Sequence, residues 1–131
     1  MQRAIAHDAS KLEDIEKPVF DKFTPLLKAV TYGSHEYKEY LRSMGDALAH
    51  HYAVNSHHPE HFKNGIDGMS LLDLIEMLAD WKAASERHAD GDFKKSLLIN
   101  TDRFNISGQL SQILMNTAIE MGWIEQEDNH E

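Results

Sequence analysis

The stretch Ser70-Leu71-Leu72-Asp73-Leu74-Ile75-Glu76-Met77-Leu78-Ala79-Asp80-Trp81 decides the fold class. It shows no period-2 alternation, and Ser70 with Asp73 forms a variant of the capping box, with Asp in place of the usual Glu. Together these features predict a strong helix over 71–88. Its apolar side chains surround almost the whole cylinder. Asp73, Glu76 and Asp80 are left on one narrow stripe, because seven residues make nearly two turns. A surface helix usually carries a wider polar face. The stripe is therefore either a thin solvated edge or a face of ligands.

Working outward, the rest of the chain also reads as helix, with Gly and Pro placed as punctuation. A first helix is expected over 2–16, ending before Pro18. A second, over 19–31, is interrupted or restarted at Thr24-Pro25. Tyr32-Gly33 is a stop, and Ser34 caps a third helix running to about residue 53. Asn55 and Ser56 break that helix. Pro59 disfavours helical geometry at His58 and opens a short helical turn over 59–64. Residues 64–68 read as a loop and 89–104 as a polar connection. A last helix over 106–121 stops at Gly122. With no internal repeat and no linker, the expectation is an all-α, compact bundle in one domain over 1–124, followed by a frayed acidic tail over 125–131. Its core is expected to include Ile5, Leu12, Phe20, Phe23, Leu26, Leu27, Leu41, Leu48, Leu72, Ile75, Leu78, Leu110, Ile113 and Leu114.

Composition excludes several functions. A net charge of −9 over 131 residues argues against duplex nucleic acid, which needs a basic surface. A single nucleotide remains compatible, since a bound metal can reverse the local sign. The absence of cysteine rules out disulfides, thiolate metal sites and thiol catalysis. No apolar run approaches a membrane span, and residues 1–8 lack a signal-peptide core. A cytoplasmic protein with no membrane partner is expected; the oligomeric state is not readable.

The chemistry concentrates elsewhere. Five of the nine histidines fall in His50-His51-Tyr52-Ala53-Val54-Asn55-Ser56-His57-His58-Pro59-Glu60-His61. Imidazoles with nearby carboxylates suit first-row transition metals. His50-His51 should end a helix and His57-His58 lie just past it, so the two doublets can converge. Spacing does not say which member of each points inward. A polar loop with exposed imidazoles is the competing reading. His7-Asp8 alone means little, because chance places about one such dipeptide in a chain this rich in both residues. Lys11 follows it on the same helix surface, where it makes either a weak surface ion pair or a phosphate contact.

In order, the chain shows His7-Asp8-Ala9-Ser10-Lys11, the pair His50-His51, then His57-His58-Pro59-Glu60 with Gly65-Ile66-Asp67-Gly68, and Leu78-Ala79-Asp80. This order resembles the HD-domain superfamily of metal-dependent phosphohydrolases. The strings Tyr32-Gly33-Ser34, Glu36-Tyr37-Lys38, Asn55-Ser56-His57-His58-Pro59-Glu60 and Glu76-Met77-Leu78-Ala79-Asp80-Trp81 are similar to an uncharacterised HD-like family of phages and bacteria. The resemblance implies an HD-domain-like helical bundle with a metal site. HD proteins usually carry another ligand histidine before the His-Asp doublet. No histidine precedes His7, so that position is either missing or filled by His50 or His51. Met69 follows Gly68 where HD-GYP enzymes have their Gly-Tyr-Pro, which disfavours cyclic-dinucleotide hydrolysis.

The resulting expectation is a metal-dependent phosphohydrolase acting on a small phosphorylated molecule, with a nucleotide the favoured case. One or two divalent transition metals (Mn, Fe, Co, Ni or Zn) would be held by His7, Asp8, His50 or His51, His57 or His58, and Asp80. Lys11 would stabilise the phosphoryl oxygens. Glu60 or Glu76 would orient an imidazole. Lys94, Lys95 and Arg103 are candidates for the far end of the substrate. Two alternatives use the same residues: an HD-type di-iron oxygenase, and a non-enzymatic, metal-stabilised binding protein of phage type.

Overall fold

The computed structural model describes residues 9–87 and 91–125. The N-terminal half of the expected first helix, His7, Asp8 and Ile5 lie outside the described residues. Among the described residues every regular element is helical, so the all-α expectation holds. The α-helices are α1 (Lys17–Lys28), α2 (His35–Val54), α3 (Leu71–Arg87), α4 (Phe93–Arg103) and α5 (Gly108–Glu120). Short 3₁₀ turns at Ala9–Leu12, Pro59–His61 and Gly65–Gly68 join them. No described helix is long and apolar enough to cross a membrane.

Several boundaries follow from local chemistry. Ser34 caps α2, its Oγ accepting from the Tyr37 N–H. The Ser70–Asp73 capping box forms in both directions: the Ser70 N–H donates to Asp73 Oδ2 (2.9 Å) and the Asp73 N–H to Ser70 Oγ (3.1 Å). Ser107 caps α5, which ends at Glu120, ahead of Gly122 at φ +76°.

Other boundaries differ from expectation. Residues 9–16 form a 3₁₀ turn and bends rather than α-helix, because Ser10 and Glu16 turn inward to bond other groups. α1 runs unbroken through Thr24-Pro25. Pro25 is exposed, so water can meet the carbonyl it leaves without a donor. Residues 65–68, expected as loop, close a 3₁₀ turn. The expected connection over 89–104 contains α4. Its buried face is Phe93, Ser96, Leu97 and Asn100, half of it polar, which hid the helical period.

One apolar core joins α3, α4 and α5 through Met77, Leu78, Trp81, Phe93, Leu97, Leu114 and Ala118. α1 and α2 pack on each other beside it. The core expectation holds for Leu78 and Leu114, while Phe20, Phe23, Leu27, Leu41, Leu48 and Leu110 are half-buried. It fails for Leu12, Leu26, Leu72, Ile75 and Ile113, which are exposed. α3 explains two of these failures. It turns Asp73, Met77, Leu78 and Trp81 inward, and that rotation leaves Leu72 and Ile75 outside.

Candidate metal centre

Three short segments bring the histidines together. The C-terminal half of α2 carries His50 and His51, and Asn55 ends the helix in extended geometry. Pro59 then holds His58 extended (φ −107°, ψ 127°) and starts the next 3₁₀ turn, which folds the 57–58 doublet back onto α2. His51, His57 and His58 each present a ring nitrogen, all within 4.8 Å of one another. His51 and His57 are buried, His58 partly so. His51 Nε2 lies 2.9 Å from His58 Nε2. Asp80 Oδ2, on α3, lies 4.0 Å from His57 Nε2, longer than a direct hydrogen bond.

Glu16 sets the chemistry of this group. Its side chain is fully buried, and it accepts from His51 Nδ1 (2.9 Å), Ser10 Oγ (3.0 Å) and His50 Nδ1. Burial alone would raise its pKa. Hydrogen bonds from His50, Ser10 and His51 outweigh that, and the carboxyl is held below its ordinary value. An ionised carboxylate only accepts, so Nδ1 of His51 carries the proton. The lone pair of a neutral His51 is then on Nε2, facing His58. Asn55 fixes the arrangement, its Nδ2 donating to Ser10 Oγ (2.7 Å) and to the His51 carbonyl (2.8 Å).

By donor type, three imidazoles beside a carboxylate could hold a metal ion. Two Nε2 atoms 2.9 Å apart need a proton or a cation between their lone pairs. Nitrogens bound to one Zn-sized ion at about 2.0–2.1 Å stand ~3.3 Å apart in a tetrahedron, and at most ~4.2 Å. The three nitrogens lie within 4.8 Å of one another, wider than that limit, so the rings would have to draw in by about half an ångström to bind one ion. A buried carboxylate on the far nitrogen of a histidine is the usual support of a metal ligand.

The centre opens into a cavity of about 150 Å³ between α1, α2, α3 and the end of α4. His51, His58, Asp80, Lys11, Glu60 and Arg103 all line it. α2 contributes Tyr37, Leu41 and Met44 before the kink at Gly45, and Leu48, His51 and Tyr52 after it. Lys11 Nζ stands 5.2 Å from the centre of the Phe20 ring. Arg103 reaches Glu60 at 3.3 Å and stacks 4.6 Å from the Phe104 ring centre. Burial works to lower the Arg103 pKa, but the Glu60 charge together with Tyr52 and Tyr32 outweighs it and raises the pKa above its ordinary value. Burial, then the Glu60 charge, pushes the Tyr52 hydroxyl above its ordinary value.

The structure thus groups Lys11, His51, His57, His58, Glu60, Asp80 and Arg103. Other candidates stand elsewhere. His50 faces Glu16 and Glu13 (3.4 Å) with its two ring nitrogens. Glu76 is half-buried and lines no part of this cavity. Lys94 is exposed, and Lys95 lines a separate space of about 20 Å³ near Asp92. Sequence reasoning missed Glu16, Ser10 and Asn55. Asn55 read only as a helix breaker, and the role of Glu16 has no local signal because its histidine partners are 34 and 35 residues away.

A family match spans residues 1–120. The chain belongs to DUF5662, a family of unknown function. The match takes in every residue of the histidine cluster and its cavity. No curated protein and no solved structure matches the chain.

Proposed function

We propose that this DUF5662 member is a metal-dependent phosphohydrolase acting on a small phosphorylated molecule, and that His51, His57, His58 and Asp80 hold its metal. One observation carries the reading: a cavity shared by oriented imidazoles, a carboxylate and the cations Lys11 and Arg103. The order of these residues, similar to that of HD-domain proteins, supports it further. When bound, the metal would lower the pKa of a water and screen phosphate charge. Glu16 keeps the His51 lone pair on Nε2. Lys11 and Arg103 offer positive charge to the phosphoryl oxygens. Glu60 holds Arg103 at the cavity wall.

The test compares two variants by metal content and by hydrolysis of a panel of phosphorylated compounds with Mn²⁺, Co²⁺ and Mg²⁺. Asp80→Ala should lose metal and activity together. Lys11→Ala should keep metal and fold but lose turnover. Full activity in Lys11→Ala removes its role. A wild type that hydrolyses none of the panel overturns the phosphohydrolase reading; iron content with dioxygen consumption would then mark an oxygenase.

A further inference from the structure

The cations of this chain are unevenly placed. The whole chain carries −9, yet Lys11, Lys28, Arg87 and Arg103 line the cavity at the metal centre, against Glu60 and Asp80. A second cavity of about 450 Å³ adjoins it, between the start of α2 and the end of α4. Lys38, Arg42 and Arg103 line this one, against the single acid Asp102. Tyr32, Tyr37, Leu41 and Arg103 line both cavities and form a common wall. Arg103 is fixed there by Glu60 and Phe104. Buried Asn100 fixes Tyr32, its Nδ2 donating to the hydroxyl at 2.8 Å.

Size and charge point the same way. Sites for drug-sized ligands span ~300–1,000 Å³. The first cavity, at about 150 Å³, is below that range and takes a phosphoryl group with few further atoms. The remainder of a larger substrate has the adjoining space to enter. Its lining presents three cations to one acid; Arg42 and Arg103 also pair with Glu39 and Glu60, and an anionic occupant would share them.

We infer that the second cavity binds a second anionic group, phosphate or carboxylate, of the same substrate, placed across Arg103 from the metal centre. This rests on the phosphohydrolase reading and narrows its substrate to compounds that carry two separate anionic groups. Arg103 serves both groups, while Lys38 and Arg42 serve the distal one alone.

The experiment measures calorimetric binding of two non-hydrolysable probes to Mn²⁺-loaded protein: propylphosphonate, and pentane-1,5-bisphosphonate. The bisphosphonate should bind roughly tenfold tighter or better, as linked contacts do. In Lys38→Gln/Arg42→Gln that advantage should disappear while propylphosphonate binds as before. Both residues are exposed, and the Arg42–Glu39 pair is a surface one, so the fold should survive. Equal affinity of the two probes, or an advantage that persists in the double variant, overturns the inference and leaves the phosphoryl site standing. Failure of both probes to bind overturns the phosphohydrolase reading and this inference together.

Discussion

Glu16 is the residue on which the centre turns. It is fully buried among Ser10, His50 and His51, and its charge selects the His51 tautomer. Glu16→Gln keeps the volume but can both donate and accept, so the tautomer is no longer fixed. Metal affinity should fall about 10–100-fold, the usual effect of losing such a support. Competition against a chromophoric chelator reads this, with far-UV circular dichroism to show that helix content is kept. The neighbouring histidines give a sharper contrast. His51→Ala should lose metal, whereas His50→Ala should lose less affinity, because His50 reaches the cluster only through Glu16. Equal losses in the two variants would show that the doublet is misassigned. The sequence offered the doublet but not the choice between its members. That choice depends on a carboxylate far away in the chain, one among 22 acidic residues.

At the scale of elements, the readable features were those with a local cause. The Ser70–Asp73 box, the Ser34 cap and the bend forced by Pro59 each depend on neighbours within a few residues, and each formed. The unreadable ones depend on tertiary partners. α4 was hidden because Ser96 and Asn100 occupy its buried face, though Asp92 as cap and the Phe93–Leu97 spacing were usable signals. Leu72 and Ile75 misled because apolar character does not fix which side of a helix is covered. Gly45 carries the element-scale prediction. It interrupts α2 at φ 48°, ψ −120°, between the half that lines the second cavity and the half that bears His51. A Cβ there meets no neighbour within 4 Å, so any cost is conformational. Gly45→Ala should lose about 1–3 kcal/mol of stability, measured by urea unfolding. An unchanged midpoint would mean that α2 straightens at no cost. Ser70→Ala should cost about 1 kcal/mol through the lost cap, in the same assay.

For the molecule as a whole, the histidine cluster lies where two parts of the fold meet. α3, α4 and α5 share the apolar core, and α1 packs on α2 beside it. His51 comes from α2 and Asp80 from α3, with His57 and His58 on the turn between them. A cation held by all four would tie the α1–α2 pair to the core through bonds that the unfolded chain does not make. Binding of this kind stabilises by mass action, about 2.7 kcal/mol when free metal is 100 times its Kd. Each kcal/mol moves Tm by about 2–8 °C for domains of 60–250 residues, so saturation should raise Tm by on the order of 10 °C. The measurement is a pair of calorimetric scans, one on protein shown metal-free by elemental analysis and one after adding Mn²⁺ or Zn²⁺. His51→Ala/His58→Ala provides the control. It removes the two nitrogens that face each other at 2.9 Å, so its Tm should no longer respond to metal. If wild-type and metal-free protein melt together, the imidazoles share a proton rather than a metal, and the centre is a structural hydrogen-bond cluster.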